Sequence, residues 1–487
     1  MDRSVIARDW SRRMALIAGA SSLAAPRFAL AQGASDKRNL AGLIASYASG
    51  FDLAKAPANI VEAARIAFID TTGVMLAGSH QEVAHIAADM VKDEGSAPAA
   101  SIVGSKLRAS PQLAALANGV AAHAMDYDFT YASGQAVSAV IPALLPLAEA
   151  RGAKPAETMA AFVIACEVAA RLVRASPKIS ALGGWHATGM VGNISAGVAC
   201  ARLLKLSPAG IASAVGIGAS LASGVSANFG TMTKPLHSGN AARNGVTAAL
   251  LAARGFTSSA TALEGASGYY ATFSRGLSTD FSAFDDLGRV HNIIDPGYSL
   301  KRYPCGGLSH TSIDATLALR AELGAGVSKI ARIEVGVTKN AFQRIGSAYP
   351  DSIESAKFSM PYIGAWTALY GSPGIDTFTD KAIADPAVKA FAPKISHHVD
   401  SEFADEIATS PGRVVVILND GERLEKKVVY ASGSPQNPMT SLEIEAKFLD
   451  CARQSIDAER ARKILAWLGD LPKQSAFDEF WKLLGQA

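Results

Sequence analysis

From about residue 37 onward, apolar positions recur at helical spacing: Leu40, Leu43, Ile44, Tyr47 and Phe51 fall on one face of a 3.6-residue period. This texture, crowded with alanine, glycine and serine, continues to about residue 275 and predicts an almost wholly helical region. Residues 209–227 look superficially membrane-spanning, yet their serine and glycine suit close helix packing in a bundle better. Beyond residue 280 the period changes. Ile333, Val335 and Val337 alternate with small or polar neighbours, and an apolar run at 414–418 is followed by Asn419-Asp420-Gly421 and a second alternating run to Tyr430, the chemistry of strands and a hairpin. Helix returns after Pro438, where Thr440 and Glu443 have capping-box spacing. The pattern predicts a mainly α fold: a large helical domain (37–275), an inserted smaller α+β lid domain (276–434), and C-terminal helices (435–487) that return to the helical domain.

The first residues read as an address. Arg12-Arg13 leads into an apolar, Gly/Ala-rich stretch that ends at Ala29-Leu30-Ala31, the form of a twin-arginine export signal (1–31) cleaved after Ala31. Pro26 and Arg27 interrupt the stretch before it reaches the roughly 20 apolar residues a membrane span needs. A periplasmic protein with no membrane attachment after cleavage is expected.

Composition sharpens this. The 487 residues are 49% hydrophobic and 18% charged, with no sign of disorder. Residues 1–31 hold five arginines against two aspartates, so of 46 basic and 43 acidic side chains the remainder keeps 41 of each. No cationic surface excess is left to argue for nucleic acid or anionic lipid. Cys166, Cys200, Cys305 and Cys451 are widely separated and form no CxxC, which indicates neither a zinc site nor a disulfide framework. There is no P-loop, GxSxG or HExxH, and Gly216-Ile217-Gly218 lacks its third glycine and sits in a helical run. Chemistry must come from scattered side chains, with no metal and no cofactor.

Three segments place a polar or cationic residue where a loop enters a helix, a position that attracts anions. Gly183-Gly184-Trp185-His186 precedes a helix, whose positive end disfavours imidazolium and leaves His186 a neutral candidate base. In Thr233-Lys234-Pro235-Leu236-His237, Lys234 should be extended, with Pro235 opening the next helix. Lys301-Arg302-Tyr303-Pro304 repeats the device ahead of the helix that contains His310. A fourth segment, residues 123–130 (HAMDYDFT), carries Asp126 and Asp128 at a helix end; an aspartate pair there is most often a solvated turn.

Together these segments resemble the MmgE/PrpD family: DTTGVMLAGS at 70–79, HAMDYDFT, GWHAT, MTKPLH, KRYPC and AKFSMPY stand in the family's order. The resemblance implies a two-domain homodimer whose site lies between domains, and a metal-free, cofactor-free lyase such as 2-methylcitrate dehydratase or cis-aconitate decarboxylase. An iminodisuccinate epimerase-like isomerase is the alternative. It implies proton transfer by His186, Tyr362 as acid, Asp126 as an orienting group and Lys301 as a stabilising cation. Thr130, Lys234, Arg302 and His237 would hold a small di- or tricarboxylate. Gln135 stands where the family's HPSA segment has histidine, and Phe129 breaks its DDTH. A second alternative follows, a non-catalytic periplasmic carboxylate-binding protein.

Overall fold

The computed structural model describes residues 38–132, 134–404 and 410–484. The twin-arginine segment and its cleavage point lie outside the described residues. The chain is mainly α-helical. Ten helices lead: α1 (Leu40–Gly50), α2 (Ala58–Gly78), α3 (Glu82–Glu94), α4 (Pro111–Ala124), α5 (Val140–Arg151), α6 (Pro155–Ala175), α7 (Lys178–Gly183), α8 (Ala187–Leu203), α9 (Pro208–Ser220) and α10 (Thr233–Ala252). None of the described helices is long and apolar enough to cross a membrane. The α1 stripe differs from expectation in one respect: Leu43 is exposed, and Leu40, Ala41, Ile44, Ala45 and Ala48 face inward. Alanines at helical spacing bring helices closer than leucines would, and that closeness organises the whole first core.

Helices α4 and α10 approach closely. A Cβ on Gly119 would lie 2.7 Å from the Gly239 Cα, and one on Gly239 would lie 2.5 Å from the Leu116 carbonyl oxygen, so only glycine fits at either place. As a result the C-terminal end of α4 lies beside the N-terminal end of α10. The first core runs through these helices and also takes in Phe284, Ile293 and Leu300, then Ile444, Phe448, Ile464 and Trp467 from the C-terminal helices.

A second core begins at Tyr303. The change of core therefore falls between Leu300 and Tyr303, later than the change of period past residue 280. It is built on a four-stranded sheet ordered β4-β3-β5-β6, where β3 is Ile330–Val337, β4 Ile395–Val399, β5 Gly412–Leu418 and β6 Arg423–Val428. β5 and β6 form the expected antiparallel hairpin across Asn419 to Glu422, and β5 also pairs antiparallel with β3, Ile333 facing Val416. The sequence reading missed β4, which runs parallel to β3 on the sheet edge. Its residues are Ile-Ser-His-His-Val, mostly solvated on both faces, so no clean alternation marks it. It also missed the two-residue pairing of β1 (Ala100–Ser101) with β2 (Arg108–Ala109).

Candidate active site

Where α4 ends, the chain turns sharply. Asp126 has φ +50°, the left-handed region that aspartate tolerates better than most residues at a cost of about 1–2 kcal/mol. Its carboxylate is buried rather than solvated, and so is that of Asp128. Lys234 Nζ is 2.6 Å from Asp126 Oδ1 and Lys301 Nζ is 2.9 Å from Oδ2. Burial pushes the Asp126 carboxyl up, but the two ammonium groups outweigh it and hold it well below the usual carboxylate range.

The lysines arrive by different routes. Lys234 is not extended as expected; α10 begins two residues before Pro235, at Thr233, so Lys234 lies in the first helical turn with Pro235 behind it. Lys301 follows by two residues a two-bond bridge between Thr130 and Ser299. The following helix starts only at His310, after a short 3-10 turn over Gly307–Ser309, so the Lys301 segment is not itself a helix entrance. Lys301 Nζ also donates to the carbonyls of Asp126 (2.7 Å) and Cys305 (3.1 Å), which with the carboxylate uses all three of its N–H groups. Lys234 engages Asp126 and His123 Nε2 (3.0 Å), leaving one N–H for another acceptor. Phe229 and Phe358 flank it, ring centroids 5.7 and 5.4 Å away. Burial pushes its ammonium pKa down and Asp126 opposes this.

His310 Nε2 is 3.3 Å from the Cys305 carbonyl that Lys301 also engages, and three further imidazoles stand around the triad. His123 accepts from Lys234 at Nε2 and contacts Asp128 through Nδ1 (2.9 Å), which makes Nδ1 the protonated nitrogen. His186, directly before α8 as expected, stacks on His123 at 5.5 Å and meets His237 Nδ1 to Nδ1 at 2.9 Å. Burial, then Lys234, His123 and His237, hold His186 well below the usual histidine value. Neutrality is as expected, but its main cause is burial rather than the helix end. His237 is brought down to about 4 by burial and its cationic surroundings.

Asp126, Lys234, Lys301, His186 and His237 are thus gathered, with Thr130 adjacent: a Cβ on Gly307 would meet both Lys301 Cε (3.4 Å) and Thr130 Cγ2 (3.8 Å). Two predicted site residues are not brought in. Arg302 points away from its neighbour Lys301 and pairs with Glu443 at the start of a C-terminal helix. Tyr362 is buried in the second core against Tyr349 and Phe378, its hydroxyl donating to the Thr377 carbonyl, so it is not placed as an acid. The AKFSMPY segment reaches the cluster instead through Phe358 and Lys357. Lys357 donates to the Ala124 carbonyl (2.8 Å) at the end of α4, and burial brings its pKa to about 8.

His123 received no role from the sequence; the signal was an imidazole five residues before Asp128 across a helix end. His123, Asp126 and Asp128 also offer donor atoms all within 4.8 Å, a set with metal-binding spacing that the linear sequence did not show. Lys234 contacts two members of that set, His123 at Nε2 and Asp126 at Oδ1.

Gln135 Nε2 donates to Asp126 Oδ1 at 2.9 Å. An amide there stiffens the carboxylate but cannot carry a proton to or from a substrate.

Curated relatives cover most of the chain. Human cis-aconitate decarboxylase is 27% identical over 424 residues, 84% of this chain and 85% of that protein. Cis-aconitate decarboxylase-like protein oryM of Aspergillus oryzae is 28% identical over 433 residues, 84% of this chain and 89% of its own. The mouse cis-aconitate decarboxylase is 27% identical over 402 residues, 80% of this chain and 82% of that protein. The MmgE/PrpD N-terminal domain matches residues 42–282 and the MmgE/PrpD C-terminal domain residues 303–470, and the chain belongs to the MmgE/PrpD family.

Proposed function

We propose that this chain is a cofactor-independent lyase that removes carbon dioxide or water from a small di- or tricarboxylate by proton transfer. The observation that carries the reading is the buried Asp126, Lys234 and Lys301 triad set against neutral imidazoles. Loss of carbon dioxide leaves an electron pair on the carbon, which then takes a proton; dehydration takes a proton from carbon, and the pair expels hydroxide. Both pass through negative charge beside a carboxylate, and a fixed ammonium in a water-poor site stabilises that charge far better than bulk water does. Lys234, with one donor unspent, is the cation that meets the substrate. Lys301, with none unspent, holds Asp126 in its strained turn. The relatives' names, three of them cis-aconitate decarboxylase or a like protein, agree with the carboxylate substrate class.

A second reading has one observation in its favour. Gln135 bonds Asp126 where the family has an imidazole, which suits a changed substrate, the epimerase alternative, or a protein that binds carboxylates without turnover. The deciding experiment incubates the chain with citrate-like, aconitate-like and aspartate-like acids in deuterium oxide and follows products and carbon-bound deuterium by NMR. Product formation supports the lyase, exchange with inversion the epimerase. Calorimetric binding with neither would refute both.

A further inference from the structure

The His186 and His237 rings lie in a chain of hydrogen bonds whose direction the chemistry dictates. Thr188 Oγ1 is 2.9 Å from the Gln135 carbonyl oxygen and 3.1 Å from His186 Nε2. A hydroxyl has one proton, and the carbonyl has none to give, so Thr188 donates to Gln135 and must accept from His186 Nε2–H. A neutral His186 that carries its proton on Nε2 has a bare Nδ1. That atom is 2.9 Å from His237 Nδ1, which must therefore carry the other proton. Each step is forced by the one before it, and the chain ends with His237 Nε2 as the unprotonated nitrogen.

Resting on the proposed lyase reading, we infer that His237, rather than His186, is the proton-accepting catalytic residue, and that His186 is a positioning residue that fixes its tautomer. In that step a substrate C–H bond breaks, its electron pair stays on the carbon, and the proton forms a bond to His237 Nε2. The imidazolium produced keeps its Nδ1–H on His186, whose own Nε2–H stays on Thr188. Lys234 stands three residues before His237 on α10 and so on the same helical face, which puts cation and base together. A Cβ on Gly224, which has φ +109°, would press on the His237 ring at 3.2 Å, so only glycine lets the backbone pack this closely against the ring. The titratable groups facing His237 are His186 in direct contact, then His123 and Lys234.

The first test needs no turnover. Nitrogen-15 NMR of the histidine-labelled chain, with its nine histidines assigned through His186→Gln and His237→Gln, reads each tautomer. The expected result is Nε2–H on His186 and Nδ1–H on His237; the reverse for either ring overturns the relay. Thr188→Val, which keeps both imidazoles, should release His186 from its single tautomer, and an unchanged pattern also overturns it. With whichever acid is turned over, His237→Gln should lower kcat by about 10²–10⁴-fold and remove the acidic limb of the pH profile. His186→Gln should lower kcat less and keep that limb, shifted. If the limb disappears with His186→Gln and survives His237→Gln, the base is His186. If the unmodified chain turns over no acid, the lyase reading fails and the base role with it, while the tautomer pattern still decides the relay.

Discussion

Lys301→Ala should be a stability variant before it is an activity variant. The ammonium is 2.9 Å from Asp126 Oδ2 and satisfies two carbonyls, with every group buried. At an effective dielectric of about 20 the ion pair alone amounts to roughly 6 kcal/mol of gross attraction. Desolvation offsets much of that, and removing one member of a buried pair typically costs about 3–5 kcal/mol. The Asp126 and Cys305 carbonyls, left without this donor, add about 1–3 kcal/mol each where water cannot reach them. Against a total stability of roughly 5–15 kcal/mol, the variant should lie near the edge of folding. Urea denaturation by circular dichroism measures the change, with Lys301→Met as a companion that keeps the side-chain volume. Asp126→Asn in the Lys301→Ala background should cost less than the two single losses together, with a coupling of about 1–3 kcal/mol, because the orphaned carboxylate is neutralised. A loss below about 1 kcal/mol for Lys301→Ala, or strict additivity, would refute a dry, charge-balanced triad.

Two further outcomes follow from the same geometry, and a third from the sequence alone. His237 has its folded pKa lowered to about 4 from an unfolded value near 6.5, so the unfolded chain binds more protons in that window and stability falls as pH drops through it. His237→Gln should flatten the stability slope between pH 6.5 and 4, by at most about 3 kcal/mol, and a slope equal to the unmodified chain's would contradict the buried neutral imidazole. Turnover of whichever acid proves to be the substrate should survive exhaustive chelation, since Lys234 supplies the positive charge in the His123, Asp126 and Asp128 set; restoration by added zinc or magnesium would show otherwise. Export should depend on the arginine pair, so Arg12→Lys with Arg13→Lys should keep folded protein in the cytoplasm, and mass spectrometry of secreted material should find residues 1–31 removed.

Helical spacing before residue 275, alternation at Ile333 to Val337 and the Asn-Asp-Gly turn were each legible because they depend only on local period and turn chemistry. The motif residues Asp126, His186, Lys234 and Lys301 were also readable as a set, since linear order suffices to match a family pattern. Which of them meet was not. That depends on Gly119 lying against Gly239, a contact between positions 120 residues apart that brings His123 to Lys234. It depends too on the left-handed turn at Asp126, which offers one carboxylate to two lysines. Side-chain direction separated neighbours that looked equivalent in the chain: Lys301 inward and Arg302 toward Glu443, Phe358 onto Lys234 and Tyr362 into the second core. Spacing along a sequence determines the periodic element a residue joins. The partner across the core is determined only by how closely backbones can approach, and here the absence of two Cβ atoms sets that distance.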